Sequence, residues 1–372
     1  MSQPGERVRL AILLPNLGAG GAERVCLHLA RELVALGHAV DFVLLEEAGE
    51  LLGEVPAGAR VVALGRTVKT AAPALAAYLR RERPAALYAH MFPLTWMAVV
   101  ARMLPGTRVP LVLVEHIDFD AGFRAHPRSR ALMRRLGRWI YPRADRRVCV
   151  SAGAADSLAA LARIDRQSID VVYNPVSLPA APNAPTASNL ADWWASAPVR
   201  LLAVGRLIAQ KDYDTMLAAV AALPETMGAK LLILGDGPDR ARLEGAIAAM
   251  GLGDRVRLGG FQPDREAYYA RASVYVMSSR WEGLPTVLIE ALIAGLPVVS
   301  TDCPSGPSEI LDGGRVGTLV PMGDSKALAK AIVAAAAAEP DREMLRARGR
   351  DFDPPAAAKR YLALIGMGSD ER

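Results

Sequence analysis

Short apolar runs alternate with stretches of helical period through most of this 372-residue chain, and the alternation halts once and restarts. No other feature narrows the fold so much, because strands separated by helical patterns build βαβ units and a parallel sheet. In the first half, Val8–Leu14, Ala39–Leu45, Arg60–Leu64, Ala86–Ala89, Leu111–Val114 and Val148–Val150 read as strands. Helices are expected near 21–36, 70–83, 93–104, 128–140 and 152–163. The Pro-, Ala- and Ser-rich stretch Val176–Pro198 has little periodicity and reads as a linker. Beyond it the rhythm resumes with strands at Val199–Val204, Lys230–Leu234, Val256–Leu258, Ser273–Met277 and Pro297–Ser300. Helices near 212–222, 238–250, 264–271, 285–294 and 325–338 separate them.

Two α/β domains follow, each a doubly wound parallel sheet of Rossmann-like type. The expected division is 1–175, a linker at 176–198, a second domain at 199–350, and a C-terminal helix within 351–372 packing back on the first domain. Such sheets bind ligands beyond the carboxyl ends of their strands, so a cleft between the facing sheets is the expected site.

Hydrophobic residues make up 52% of the chain, enough for substantial cores, yet no apolar run reaches the ~18–20 residues of a membrane span. The N-terminal segment reads as a first strand and not as a signal peptide. Cys26, Cys149 and Cys303 are far apart in sequence and read as buried, reduced thiols of a cytoplasmic protein. Net charge is +5, with the excess in the first half. Arg124, Arg128, Arg130, Arg134, Arg135, Arg138, Arg143, Arg146 and Arg147 are opposed there only by Asp145, and Phe123, Trp139 and Tyr141 are interleaved. Region 124–147 therefore suits peripheral contact with an anionic membrane or a lipid phosphate, against the plainer reading of a solvated Arg-rich helix. No module accompanies the charge that would make it a nucleic-acid surface.

The segment after Ser273–Met277 is built to hold an anion. Gly283 loosens the loop, Pro285 suits the first helical position, and the helix stops at Gly295. Unpaired amides at that helix start and the helix dipole favour negative charge. Glu282 precedes the helix and Glu290 lies in its second turn, so the two flank a ligand instead of sharing a helix face. Strand Val199–Val204 runs into Gly205, and Arg206 and Lys211 bring two cations to the same strand end, a match for a diphosphate. Gly235-Asp236-Gly237-Pro238 reads as a tight turn, with a base- or ribose-facing loop as the alternative. Gly18-Ala19-Gly20-Gly21-Ala22-Glu23 misses the dinucleotide fingerprint because Glu23 takes the third glycine position, and it reads as a flexible loop whose amides approach a ligand. His116 follows a strand at its carboxyl end. Asp118-Phe119-Asp120 is too short a match to carry a metal site.

Taken in order and spacing, GGAERV, His116, Tyr173-Asn174-Pro175-Val176, VGRLIAQKDYDTML, ILGDGP, VRLGGF and EGLPTVLIEALIAGLPVVSTD resemble glycosyltransferase family 4, retaining enzymes of the GT-B fold. Thr301-Asp302-Cys303-Pro304-Ser305-Gly306 is similar to bacterial members that add hexoses or N-acetylhexosamines to lipid-linked or surface glycans. The resemblance implies a nucleoside diphosphate sugar as donor, a UDP-sugar foremost, a glycan or lipid-linked acceptor, no cofactor and no metal. By the family pattern, Arg206 and Lys211 bind the diphosphate and Glu290 the ribose hydroxyls. Glu282 and the backbone around Gly283, Leu284 and Pro285 hold the sugar, with the Thr286 and Val287 amides near phosphate. Gly20 and Gly21 approach the donor from the other domain, His116 contacts the sugar near the reacting carbon, and Phe261 and Gln262 lie by the base. His116, Glu282, Arg206 and Lys211 form the implied catalytic set; the chain is expected in the cytoplasm, with region 124–147 as its contact with the inner face of the cytoplasmic membrane. A GT-B epimerase and a non-catalytic sugar-nucleotide-binding subunit are the alternatives.

Overall fold

The structure, a computed structural model, describes residues 7–123, 127–178, 189–262 and 265–367. It divides into two compact units, 1–176 with 352–372 and 177–351. The first holds strands β1 (Arg9–Leu14), β2 (Ala39–Leu44), β3 (Ala59–Ala63), β4 (Ala86–His90), β5 (Leu111–Glu115), β6 (Arg146–Cys149) and β7 (Asp170–Val171). They pair in parallel in the order β3-β2-β1-β4-β5-β6-β7. β4 and β5 are buried along their whole length, as parallel strands covered by helices on both faces must be.

The second unit repeats the plan with β8 (Val199–Val204), β9 (Ala229–Leu234), β10 (Val256–Gly260), β11 (Val274–Met277), β12 (Val298–Thr301) and β13 (Thr318–Val320). Its order, β10-β9-β8-β11-β12-β13, is again all parallel. Two parallel-sheet α/β units are thus present, as the alternation requires. β7 and β13 escape sequence reading because runs of two and three residues are too short to show a period.

Helix Gly21–Ala35 buries Val25, Cys26, Leu29, Ala30 and Leu33, a stripe at three- and four-residue spacing. Ser151 starts helix Ala152–Ala162 by accepting the Ala154 amide at 3.1 Å. Within the Val176–Pro198 stretch a helix forms at Asn189–Ala195, and residues 179–188 lie outside the described residues. Trp194 explains it: the ring is buried and its Nε1 donates to the Leu201 carbonyl at 3.1 Å, tying the helix to β8.

Helix Pro354–Ala363 belongs to the first unit, where the Tyr88 hydroxyl donates to the Tyr361 carbonyl at 2.9 Å. Asp41, fully buried on β2, accepts hydrogen bonds from Arg9, Arg60 and Tyr78 at 2.6 to 2.9 Å. Burial pushes its carboxyl up, but those donors outweigh burial and hold it below the usual range. No helix among the described residues is long and apolar enough to cross a membrane.

Candidate active site

In the second sheet β8 lies between β9 and β11, so the connections leaving β8 and β11 at their carboxyl ends diverge. That is the switch point of a doubly wound sheet, where a crevice opens for a ligand. Gly205 and Arg206 follow β8, and a short 3-10 turn, Ala209–Lys211, comes next. From β11 the chain runs through Ser278–Pro285 into helix Thr286–Ile293. Hydrogen bonds stitch these two mouths together. The Arg280 amide donates to the Gln210 carbonyl at 2.9 Å and Ser278 Oγ to the Lys211 carbonyl at 2.7 Å. Gln210 Nε2 donates to the Trp281 carbonyl at 2.7 Å. Asp212, buried at a positive φ of 47°, is paired with Arg280 at 3.0 Å.

Lys211 Nζ reaches Glu282 Oε1 at 2.6 Å, and Glu282 is buried. Arg206 is exposed and makes no ion pair among the described residues. One cation is thus engaged with an acidic residue and the other is turned to solvent. Pro285 is the residue before the helix and not its first: its ψ of 101° is extended and helical geometry begins at Thr286. Lacking an N–H, Pro285 contributes only its carbonyl, which accepts the Leu288 amide at 3.0 Å. The helix start has no side-chain cap, so the Thr286 and Val287 amides keep their capacity for an anion.

Behind the loop, Ser305 Oγ donates to the Gly283 carbonyl at 2.9 Å and Thr301 Oγ1 to the Ser279 carbonyl at 2.7 Å. Gly306 (φ 92°) packs so closely that a Cβ there would stand 2.5 Å from Pro285 Cδ. Glu290, buried in the second turn, pairs through Oε1 with Arg265 Nη2 at 2.8 Å. Its Oε2 is buried and meets no hydrogen-bond donor of good geometry among the described residues. Phe261 is exposed just past β10, and Gln262 Nε2 donates to the Gly259 carbonyl at 2.8 Å. Gly235 (φ 132°) lets the turn after β9 pack on Gly205, whose carbonyl a Cβ would approach to 2.1 Å. Asp236 closes that turn by accepting from the Gly237 amide and Arg240 Nε.

The first unit places its candidates at the carboxyl ends of β1, β4 and β5. Gly20 caps helix Gly21–Ala35 without a side-chain bond, and a Cβ on Gly20 would collide with Glu23 Oε2 at 2.1 Å. In the loop before that helix, the Gly18 amide donates to Asn16 Oδ1 at 3.1 Å and the Ala19 amide to Glu50 Oε2 at 3.0 Å. His116 follows β5 and lies 2.9 Å, Nε2 to Nδ1, from His90 at the end of β4. Burial holds the His116 imidazole down to about 4, and His90, fully buried, is lowered by burial and then by His116.

Glu115 is buried beside them, and its oxygens accept the Phe92 amide, Thr95 Oγ1 and the Tyr141 hydroxyl at 2.7 to 3.0 Å. Burial dominates and pushes its carboxyl up to about 7. Asp118 and Asp120 do not converge: Asp118 accepts from the Ala121 amide and Ser157 Oγ, while Asp120 pairs with Arg130. No cluster of three metal-ligating side chains occurs among the described residues.

Gln210, Arg265, Arg280, Ser305, His90 and Glu115 join these sites without being marked as candidates in the sequence. Arg280 and Gln210 adjoin motif residues and were findable as second partners. His90 and Glu115 end buried strands and carry no local signal.

Two family models match the chain: Glycosyltransferase Family 4 over residues 19–179 and Glycosyl transferases group 1 over 194–352. The lipopolysaccharide core biosynthesis glycosyltransferase LpsE of Rhizobium meliloti is 36% identical over 46% of this chain and 50% of its own length. An N-acetylgalactosamine-N,N'-diacetylbacillosaminyl-diphospho-undecaprenol 4-alpha-N-acetylgalactosaminyltransferase of Campylobacter jejuni is 28% identical over 63% of this chain and 62% of its own. The chain thus spans between half and two thirds of the length of these curated relatives. Among solved structures, Anabaena Alr3699/HepE in complex with UDP-glucose superposes with a TM-score of 0.79 at 18% identity, over 97% of this chain and 100% of that one. With both family models matched in order along two parallel-sheet units, the chain belongs to glycosyltransferase family 4 and has the GT-B fold.

Proposed function

We propose that the chain is a glycosyltransferase of polysaccharide or lipopolysaccharide assembly. It moves a hexose or N-acetylhexosamine, with retention, from a UDP-sugar to a glycan or lipid-linked acceptor. The observation that carries this is the mouth formed by β8 and β11. There Lys211 meets Glu282 at 2.6 Å beside an uncapped helix start, with Arg206 on the same strand end. Diphosphate oxygens find paired cations and amides there, and the departing charge is stabilised without a metal. In this reading Glu290 accepts a ribose hydroxyl through Oε2, which is buried without a partner of good geometry among the described residues, and Glu282 accepts a hydroxyl of the sugar. His116 is assigned to the transferred sugar and Phe261 and Gln262 to the base, on the resemblance.

Names of similar proteins support the direction: HepE is described with UDP-glucose, and the Campylobacter enzyme's name specifies a diphospho-undecaprenol acceptor. A GT-B epimerase is expected to lack the Arg206, Lys211, Glu282 and Glu290 set, which this chain has.

Contact with an anionic membrane belongs to the same proposal. Helix Pro127–Ile140 exposes Arg128, Arg130, Arg134, Arg135 and Arg138 together with Leu132 (51% exposed) and Trp139 (43%), and the Arg143 guanidinium sits 3.7 Å over the Trp139 ring. Arg124 lies outside the described residues.

The test is a panel of sugar nucleotides incubated with the protein and a membrane extract, following release of free UDP and mass gain on lipid. Acceptor-dependent UDP release supports transfer. Interconversion of the sugar nucleotide, or binding without turnover, rejects it.

A further inference from the structure

We propose that His90 is a positioning residue that fixes His116 as a neutral imidazole protonated on Nδ1, so that His116 presents an N–H donor to its ligand. Imidazole nitrogens 2.9 Å apart share one hydrogen, so one ring donates and the other accepts. While that bond persists, His116 Nε2 is committed to His90 and only Nδ1 faces elsewhere. The direction of the bond then decides whether Nδ1 is a donor or an acceptor.

His90 is the informative partner. It is fully buried, stacks on the Tyr361 ring at 6.5 Å, and its Nε2 has no partner among the described residues. If His116 donated, the proton of His90 would sit on that buried Nε2 as an unpaired N–H, a rare and costly state. If His90 donates from Nδ1, only a bare lone pair is left there. The second arrangement puts the remaining hydrogen of His116 on Nδ1.

A carboxylate usually orients a working histidine. Glu115, next in the chain to His116, does not take that part: its hydrogen bonds come from the Phe92 amide, Thr95 and Tyr141, while His116 Nε2 meets His90. His90 takes the orienting part, and a neutral orienter keeps His116 uncharged. An uncharged donor suits a sugar hydroxyl or ring oxygen, and it does not compete with the cations that hold a diphosphate.

Only the kinetic arm of the test rests on the transferase reading. The chain has five histidines, few enough for nitrogen-15 histidine spectra to be assigned by single substitution. His116 is expected to show a pyrrole-like Nδ1 and a pyridine-like Nε2 near neutral pH, whether or not any sugar is transferred. A protonated Nε2, or a charged ring at that pH, overturns the inference.

His90→Leu removes the donor that fixes the tautomer, so the His116 Nδ1 and Nε2 shifts are expected to move towards the averaged values of an unfixed imidazole, with kcat falling ~10-fold or more while donor KM changes ~2-fold or less. His90→Asn, whose amide can donate in the same direction, is expected to restore the spectrum and most of kcat. Unchanged kcat in His90→Leu with an altered His116 spectrum also overturns the positioning role. Should His90→Leu fail to fold, the wild-type spectrum and His90→Asn still decide. Absence of transfer by the wild type rejects the transferase reading and leaves the spectrum to judge the tautomer.

Discussion

Lys211 Nζ lies 2.6 Å from Glu282 Oε1, joining the turn after β8 to the loop after β11 by an ion pair that is largely out of solvent. A buried carboxylate and a cation satisfy one another there, and Gln210 and Arg280 lock the same loops through the backbone. Cation, acidic side chain and open helix start are therefore held in place before any ligand arrives, which lowers the ordering cost of binding. In the proposed reaction Lys211 serves the diphosphate and Glu282 the sugar, so this contact couples the two ends of the donor.

Lys211→Ala is expected to lower kcat/KM by ~10²-fold or more, the scale of losing a charge-assisted contact to a leaving group. Lys211→Arg keeps the charge but not the compact ammonium and is expected to recover only part. Steady-state assays with circular dichroism as a folding control check this. Near-normal turnover in Lys211→Ala removes its assignment.

Arg265 holds Glu290 in a pair of which each member is mostly buried. Arg265→Ala leaves a buried carboxylate uncompensated and is expected to cost ~3–5 kcal/mol in urea unfolding. Adding Glu290→Gln removes the orphaned charge, so the double variant is expected to be more stable than Arg265→Ala alone. Additive losses would show that the pair is not coupled.

Glu115 links stability to pH. Its folded carboxyl is raised by burial to about 7, above its unfolded value, so the folded chain holds a proton that the unfolded chain has released. The stabilisation is complete below the unfolded value and is lost as pH rises through about 7, amounting to ~3 kcal/mol. Glu115→Gln has no such proton. The difference in unfolding free energy between the two proteins is expected to change between pH 5 and 8, and a constant difference contradicts the shift.

Membrane contact through helix Pro127–Ile140 predicts cosedimentation with anionic vesicles at low salt. The fraction bound should fall as salt rises and fall again in a variant with Arg134, Arg135 and Arg138 changed to serine. Neutral vesicles should bind little. Equal recovery of the variant and the parent protein rejects this surface.

Much of the fold was legible because buried parallel strands are continuous apolar runs, and β8 agrees residue for residue with its expected span. Failures have physical causes. β7 and β13 are shorter than any period, and helix Asn189–Ala195 hides in loop-like composition because the burial of Trp194, not local propensity, holds it. Pro285 differs by one position because the first helical site and the residue before it accept a similar φ and differ in ψ.

At the candidate site, the charged side chains were visible as motifs, whereas their partners were not. Arg265, Arg280 and Ser305 act across loops that meet only in three dimensions. His90 ends a buried strand like any other polar residue, and only its distance to His116 sets it apart.

Calorimetric titration of UDP into the full chain, set beside the double variant Arg206→Ala, Lys211→Ala, decides whether these two cations hold the diphosphate. Measurable binding to the unmodified protein is expected without added metal, with a loss of ~10²-fold or more in the variant, about 1.5–3 kcal/mol for each charged contact. Equal affinity in both, with both folded, would place the diphosphate away from Arg206 and Lys211.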